Sequence, residues 1–197
     1  MSYRKEKKFR LSQYDMSKVM SSLRNLGMKN LHPKRTINSQ YFDNLSTDMF
    51  IDSEEGLLPR KKVRVRWYDD KSNLLNLEEK TSSIEGRFKE SKRIDKQAFE
   101  DMKKNGILHN LYGRLFPSVL VQYQREYFIY ENVRITFDTN IKYKHHDLSV
   151  WFRDFERVVE IKVPVDTSDD FLEKIFPVPT SRFSKYARAF LLKNRNL

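Results

Sequence analysis

Four cationic side chains alternate along residues 60–68 of the chain. This stretch is rich in β-branched and aromatic residues, which predicts a strand, and every second side chain of a strand points to the same face. The four residues are Arg60, Lys62, Arg64 and Arg66. Neighbours would lie about 6.6 Å apart and repel by roughly 2.5 kcal/mol at an effective dielectric constant near 20. Such a row suits an anion, although taken alone it is more typical of a solvated sheet face.

The same alternation recurs in other stretches, which strengthens the case for a binding surface. Apolar residues occupy one face of 158–163, for example, with Val159, Ile161 and Val163 on it. A closed antiparallel β-barrel with a charged lumen and an apolar outside explains all of these stretches together. The residues assigned to charged or polar faces are Arg4, Glu6, Lys8, Arg10, Glu78, Lys80, Arg87, Lys89, Arg93, Tyr123, Arg125, Arg134, Thr136, Asp138, Glu160 and Lys162.

We therefore expect an α+β fold that is mainly β: a closed eight-stranded antiparallel barrel with helices packed outside, as one domain over residues 1–197. The strands are predicted at about 3–11, 36–43, 60–68, 73–80, 86–94, 118–128, 131–139 and 156–163. Helices are predicted from Ser12 to Gly27, from Asp95 to about residue 105, at 168–175 and at 180–193. Residues 44–59 are predicted to be a polar loop.

The composition indicates a folded protein with an anionic partner. There are 38 Lys and Arg against 27 Asp and Glu, a formal net charge of +11, which fits nucleic acid, a membrane surface or a phosphorylated small molecule. The chain has no cysteine and only 4 histidines, so a zinc or disulfide site is not expected. Neither a signal peptide nor a long apolar run is present, and we expect a cytoplasmic location.

A lumen lined with lysine and arginine matches the charge of a triphosphate, and arginine adds bidentate contacts. Three carboxylates, Glu6, Glu78 and Glu160, are interspersed among the cations. Each can form internal ion pairs, or hold a divalent metal such as Mn²⁺ or Mg²⁺ against phosphate oxygens. No P-loop, kinase glycine loop or dinucleotide fingerprint occurs, so no other phosphate cradle is apparent.

A series of short motifs, in order along nearly the whole chain, resembles one known family. The motifs are Glu6-Lys7-Lys8-Phe9, Ser39-x-Tyr41-Phe42-Asp43, Arg60-x-Lys62-x-Arg64-x-Arg66-x-Tyr68, Leu77-Glu78-x-Lys80, Tyr123-x-Arg125, Arg134-x-Thr136-x-Asp138, Val159-Glu160-x-Lys162 and Phe183-Ser184-Lys185-Tyr186. They resemble the VTC domain, which is the polyphosphate polymerase domain of the vacuolar transporter chaperone family. That family is a branch of the triphosphate tunnel metalloenzymes.

The resemblance implies a tunnel barrel that binds ATP, triphosphate or polyphosphate, with Mn²⁺ or Mg²⁺ held by Glu160, and Glu6 and Glu78 as further candidate ligands. The phosphate ligands that it implies are Lys8, Arg64, Arg66, Lys80, Arg125, Arg134 and Lys185. Further substrate contacts are expected from Arg4, Arg10, Arg60, Lys62, Lys89, Arg93, Lys162 and Tyr123. Arg4-x-Glu6-x-Lys8 departs from the Glu-x-Glu-x-Lys of the adenylate cyclase and thiamine triphosphatase branch, which favours the VTC-like branch.

Three functions remain open at this stage. The first is transfer of the γ-phosphate of ATP onto a growing polyphosphate. The second is hydrolysis of tripolyphosphate, a nucleoside triphosphate or an RNA 5′ end, with Glu6 or Glu78 as the base. The third is non-catalytic binding of polyphosphate or nucleic acid, but Trp67 and Phe137 fall on the apolar faces, so DNA is not an expected partner. No SPX domain or membrane segment is visible, and a membrane-protein partner is left open.

Overall fold

The computed structural model describes residues 4–69 and 74–193. Within this part of the chain the fold is mainly β, with ten strands and five helices. The strands are β1 (Arg4–Leu11), β2 (Lys29–Asp43), β3 (Arg60–Tyr68), β4 (Leu75–Ser83), β5 (Gly86–Ile94), β6 (Ile107–His109), β7 (Gly113–Tyr130), β8 (Val133–His145), β9 (Phe152–Arg153) and β10 (Arg157–Pro164). The helices are α1 (Gln13–Asn25), α2 (Asp48–Glu55), α3 (Lys96–Asn105), α4 (Asp169–Ile175) and α5 (Lys185–Lys193).

Each of the eight predicted strands has a counterpart, but the predicted loop at 44–59 is wrong because it contains α2. The carboxylate of Asp43 accepts hydrogen bonds from the backbone amides of Met49 and Phe50, both at 3.1 Å, which satisfies the first turn of that helix. The capping residue therefore precedes the helix by several positions, so no ordinary capping pattern reveals it. Predicted strand starts at 3 and 73 lie outside the described residues.

Contacts divide the chain into two compact units, each built from separate stretches. Unit 1 comprises Met1–Arg35, Tyr123–Ile141 and Asp154–Phe183, and unit 2 comprises Thr36–Gln122, Lys142–Arg153 and Ser184–Leu197. The strand order is β1-β10-β8-β7 through unit 1, and β7-β2-β3-β4-β5 through unit 2. The prediction of one domain over 1–197 is not tested by this division and stays a prediction.

The expected closed ring of strands is not observed. In the described residues the order of hydrogen-bonded strands has two ends, β1 and β5, and the order is therefore open. Almost every side chain of β5 is exposed, and charged side chains along such an edge strand oppose further pairing. Alternation along a strand assigns side chains to faces, and it does not determine whether the first and last strands pair.

The apolar face of the unit 1 strands carries the core of that unit. Phe9, Phe137, Val159 and Ile161 are buried there against α1 and α4, as the sequence predicts for helices packed on the apolar side. Helix α1 begins at the predicted cap, because the hydroxyl oxygen of Ser12 accepts a hydrogen bond from the Asp15 amide at 3.1 Å. The charged face of the same strands is consequently left uncovered by these two helices.

The core of unit 2 lies on the apolar face of β3 and β4. Val63, Val65 and Leu75 are buried there with Phe99 of α3, and Trp67 packs on Phe99 with ring centroids 5.7 Å apart. Trp67 therefore lies on the covered apolar side, as predicted. None of the helices in residues 4–69 and 74–193 is sufficiently long and apolar to span a membrane.

Candidate functional site

The antiparallel pairing of β3, β4 and β5 collects cationic side chains on one face of unit 2. Lys62 lies opposite Lys80, which lies opposite Lys89, so that three lysines form one row across the sheet. Among the described residues of these strands, Glu78 is the single carboxylate on that face, against eight cations. We call this surface the cationic face, and its cations are Arg60, Lys62, Arg64, Arg66, Lys80, Arg87, Lys89 and Arg93.

Glu78 is the centre of an ion-pair network on the cationic face. Its carboxylate accepts hydrogen bonds from Arg64 Nε at 2.7 Å, Arg64 Nη2 at 2.5 Å and Lys89 Nζ at 2.5 Å. Arg66 Nη1 lies 3.9 Å from the same carboxylate. Burial alone would raise the pKa of Glu78, but Arg64, then Arg66 and Lys89, lower this pKa to about 2. Glu78 is therefore ionised at neutral pH and is a weak proton acceptor.

Two residues of β2 hold the arginines of β3 from the other side. Tyr41 lies opposite Arg64 and Ser39 opposite Arg66. Arg64 Nη1 donates to the Tyr41 hydroxyl oxygen at 2.8 Å, and Arg66 Nε donates to Ser39 Oγ at 3.1 Å. The sequence motif contains both residues, but we assigned no role to either. Ser39 and Tyr41 are two positions apart, which places them on the same face of β2. This spacing could have indicated that both side chains belong to the site.

The start of α5 adjoins the cationic face at Lys62. Lys62 Nζ donates to Ser184 Oγ at 3.1 Å and lies 5.8 Å from the centroid of the Tyr186 ring. The Tyr186 hydroxyl in turn donates to the Asp43 carboxylate, which also caps α2. This contact anchors α5, whose first residue, Lys185, directly follows Ser184 in the sequence. The predicted site residues Lys62 and Lys185 are thus in the same region of unit 2.

In unit 1, carboxylates and cations alternate between neighbouring strands. Lys8 of β1 lies opposite Glu160 of β10, and Glu6 lies opposite Lys162. Lys162 Nζ is 3.2 Å from Glu160 Oε1 and 3.7 Å from Glu6 Oε2, and Lys8 Nζ is 3.2 Å from Glu6 Oε1. The two carboxylates are therefore brought together around one lysine, and the local charge is nearly balanced.

Arg125 is partly buried in unit 1 and has its own carboxylate partner. Its Nε and Nη2 donate to the two oxygens of Asp138 at 2.6 and 2.7 Å, and Nη2 lies 3.8 Å from Glu160. Burial opposes ionisation, but Asp138 more than compensates, and the pKa of Arg125 lies well above its ordinary value. Its guanidinium also lies over the Tyr123 ring, 5.3 Å from the centroid. The sequence analysis gave Asp138 no role, although it fixes the orientation of Arg125.

The other predicted residues are distributed as follows. Arg134 is exposed on β8, on the same register row as Lys162. Arg10 forms an ion pair with Glu156. Arg60 donates to the carbonyl oxygen of Leu57 at 3.1 Å. Arg93 is exposed on β5, and the side chain of Arg4 lies outside the described part of the chain.

The carboxylates of unit 1 provide a limited set of metal ligands. Within residues 4–69 and 74–193, no group of three or more His, Asp or Glu side chains is arranged to hold a metal ion. Glu6 and Glu160 nevertheless converge on Lys162, and two carboxylates together with substrate phosphate oxygens are a typical Mg²⁺ ligand set. The residues therefore fit a divalent ion that depends on a phosphate ligand for its remaining contacts. Glu78 is engaged by cations and fits an ion pair better than a metal site.

The VTC domain model matches residues 3–192 of the chain. The protein belongs to the VTC domain family. No curated protein matches its sequence. The match extends over nearly the whole sequence, in agreement with the order of the motifs, and confirms the resemblance that those motifs indicate.

Solved structures of distant sequence share the fold. A Bacillus halodurans protein, bh2851, described as a candidate adenylate cyclase, is 13% identical with a TM-score of 0.60, over 91% of this chain and 92% of that one. PH1819 of Pyrococcus horikoshii OT3 is 17% identical with a TM-score of 0.60, over 98% and 99%. HpAC1 of Hippeastrum, described as having a dominant triphosphatase activity, is 15% identical with a TM-score of 0.57, over 93% of each chain. The shared fold is that of the triphosphate tunnel metalloenzymes.

We predict that Glu78→Gln lowers the free energy of unfolding by about 3 kcal/mol at neutral pH, because the variant loses a carboxylate whose pKa is displaced from 4.5 to about 2. A depressed carboxylate pKa contributes stability above about pH 4.5, and this contribution disappears as the pH falls through about 2. Urea unfolding at several pH values measures the difference between the two proteins. Glu90→Gln, an exposed change on the opposite face of β5, is the control and should show little effect at any pH. A difference that stays constant from neutral to strongly acidic pH would contradict the ion-pair role of Glu78.

Proposed function

We propose that the protein is a metal-dependent phosphoryl transferase that synthesises polyphosphate from ATP. The observation that carries this proposal is the cationic face, with eight cations and one carboxylate on three paired strands. A chain of phosphates neutralises such a row, and its repeating oxygens match cations that recur along and across the strands. Membership of the VTC domain family supports the same substrate class.

The chemistry of the described carboxylates favours transfer to phosphate over transfer to water. A terminal phosphate oxygen of polyphosphate is already anionic, so its attack needs positioning and charge neutralisation more than a base. Hydrolysis benefits from a proton acceptor, and the two carboxylates considered for that role have other partners. Glu78 has a pKa of about 2, and Glu6 lies within ion-pair distance of Lys8 and Lys162.

Glu160, with Glu6, would hold the divalent ion in this proposal. A bound Mn²⁺ or Mg²⁺ supplies electrophilic assistance by neutralising charge on phosphate oxygens. Lys162 now occupies the space between the two carboxylates, and its ammonium group can turn to a phosphate oxygen when the ion binds. Asp138 keeps Arg125 beside Glu160 and prevents that guanidinium from rotating away.

A triphosphatase is the second candidate function. Its support is the fold shared with HpAC1, which is described as having a dominant triphosphatase activity. The two functions use the same phosphate-binding groups and differ in the acceptor, which is water in one and a phosphate oxygen in the other. Product analysis therefore distinguishes them.

We predict that Lys80→Gln weakens tripolyphosphate binding by about 1.5–3 kcal/mol, the usual scale of a hydrogen bond to a charged group. Lys80 is exposed in the middle of the lysine row, between Lys62 and Lys89. Lys92→Gln is a matched control, because Lys92 is also an exposed lysine but lies opposite Leu77, on the other face of the hairpin. Calorimetry at moderate salt measures both affinities. Equal losses in the two variants would indicate that general positive charge, and not the cationic face, attracts the ligand.

We expect the wild-type protein, in the presence of Mn²⁺, to convert ATP into long-chain polyphosphate and ADP. Gel electrophoresis resolves the polyphosphate by chain length. Glu160→Gln should abolish this synthesis, while binding of ATP without metal persists or tightens because the change removes a negative charge. Glu126→Gln, which alters a carboxylate that neighbours Lys34, is the control and should retain activity. Release of free phosphate alone would support the triphosphatase. Binding with no product would support a binding module, and a fully active Glu160→Gln would exclude Glu160 as the metal ligand.

A further inference from the structure

The hydroxyl of Tyr41 is placed unusually within the cationic face. The residue is 7% exposed, and its oxygen accepts a hydrogen bond from Arg64 Nη1 at 2.8 Å. Its ring stacks on Tyr186, with centroids 4.8 Å apart and planes inclined by 24°. Within the described part of the chain, the hydroxyl proton of Tyr41 has no acceptor. Loss of that proton therefore breaks no hydrogen bond and leaves the bond from Arg64 stronger.

The groups that face Tyr41 are mainly cationic. Arg64 and Arg66 approach from β3 and Lys80 from β4, while Tyr186 of α5 is neutral and directs its own proton to Asp43. Burial raises the pKa of Tyr41, but the three cations outweigh burial and lower this pKa to about 7. The phenol is therefore balanced between its neutral and ionised forms near physiological pH.

We propose that Tyr41 takes up a proton when a phosphate chain binds to the cationic face. In the free protein, the Tyr41 phenolate is a second counter-charge of Arg64, beside Glu78. A bound phosphate chain replaces that counter-charge, and its negative charge disfavours the phenolate. One proton then moves from solvent to the Tyr41 oxygen, and no bond of the ligand is broken.

This inference rests on the proposed function, because it requires phosphates on the cationic face. It adds a dependence of phosphate binding on pH near neutrality, which the cations alone do not provide. Glu78, the other anion next to Arg64, has a pKa of about 2 and remains ionised throughout the neutral range. Proton uptake near neutrality therefore falls to Tyr41 among these groups. Because binding then consumes a proton, affinity for phosphate chains decreases as the pH rises above about 7.

The first experiment follows the ultraviolet absorbance of tyrosinate with pH in the free protein. We expect a transition near pH 7 equivalent to one tyrosine, absent from Tyr41→Phe. Phenylalanine keeps the ring that stacks on Tyr186, and removes only the ionisable hydroxyl. Tyr14→Phe, which removes an exposed tyrosine of α1, should retain the transition. Saturating tripolyphosphate should move the wild-type transition upward by more than about two pH units. This test needs no variant.

The second experiment measures tripolyphosphate binding by calorimetry in buffers with different ionisation enthalpies. With a pKa of about 7, wild type should take up about 0.9 more protons than Tyr41→Phe at about pH 8, and only about 0.1 more at about pH 6. Relative to Tyr41→Phe, the wild-type affinity should fall about tenfold between these pH values. The comparison cancels protons exchanged by tripolyphosphate itself.

The possible results distinguish this inference from the proposed function. Equal proton uptake by wild type and Tyr41→Phe, or a wild-type absorbance transition that tripolyphosphate does not move, would overturn the role of Tyr41 while tripolyphosphate binding stands. Absence of tripolyphosphate binding in the wild type would overturn the proposed function, and the inference with it. Tyr41-dependent proton uptake would support both.

Discussion

Repulsion among like charges on β3, β4 and β5 is the constraint on which the rest of unit 2 depends. Opposite residues of antiparallel strands have Cβ atoms about 4.5–5.5 Å apart, so the row Lys62–Lys80–Lys89 sets three lysine side chains at neighbouring positions. The buried face beneath them, with Val63, Val65 and Phe99, holds the strands together against this repulsion. Glu78 compensates part of the charge of the cationic face, and the remainder favours a polyanion.

The two units differ in the ratio of carboxylates to cations on their charged faces. In unit 1, Glu6 and Glu160 alternate with Lys8 and Lys162, and Asp138 is paired with Arg125, so each of these cations has a carboxylate neighbour. On the cationic face of unit 2, one carboxylate, that of Glu78, is the counter-charge of several cations. An alternating arrangement of carboxylates and lysines is suited to exchanging an ammonium group for a divalent ion, whereas a surplus of cations is suited to holding phosphate oxygens.

The alternation of side chains was enough to predict which residues share a face, and the structure confirms the apolar positions of Trp67 and Phe137. Strand register could not be predicted in the same way, because nothing within β3 or β4 alone places Lys62 opposite Lys80. Closure of the barrel could not be predicted from the alternation either, because closure depends on whether the first and last strands of the sheet pair with each other.

One missed contact had a usable signal. Glu131 and Asn132 form the turn between β7 and β8, and asparagine is a residue type that favours a turn. Arg125 and Asp138 are equally distant from it, which places them opposite each other in a hairpin and accounts for the ion pair that the structure contains. Helix α2 had no such signal, because Asp43 satisfies its first turn from several residues upstream. Long-range polar contacts of this kind depend on the assembled strands and not on local propensity.

The central claim is that the cationic face is a binding site for a phosphate chain. A crystal structure of the protein with tripolyphosphate tests it most directly. We predict phosphate oxygens within hydrogen-bonding distance of Arg66, Lys80 and Lys89, with Glu78 still bound to Arg64. Tripolyphosphate bound away from this face, with Lys80 and Lys89 remote from any phosphate oxygen, would contradict the claim.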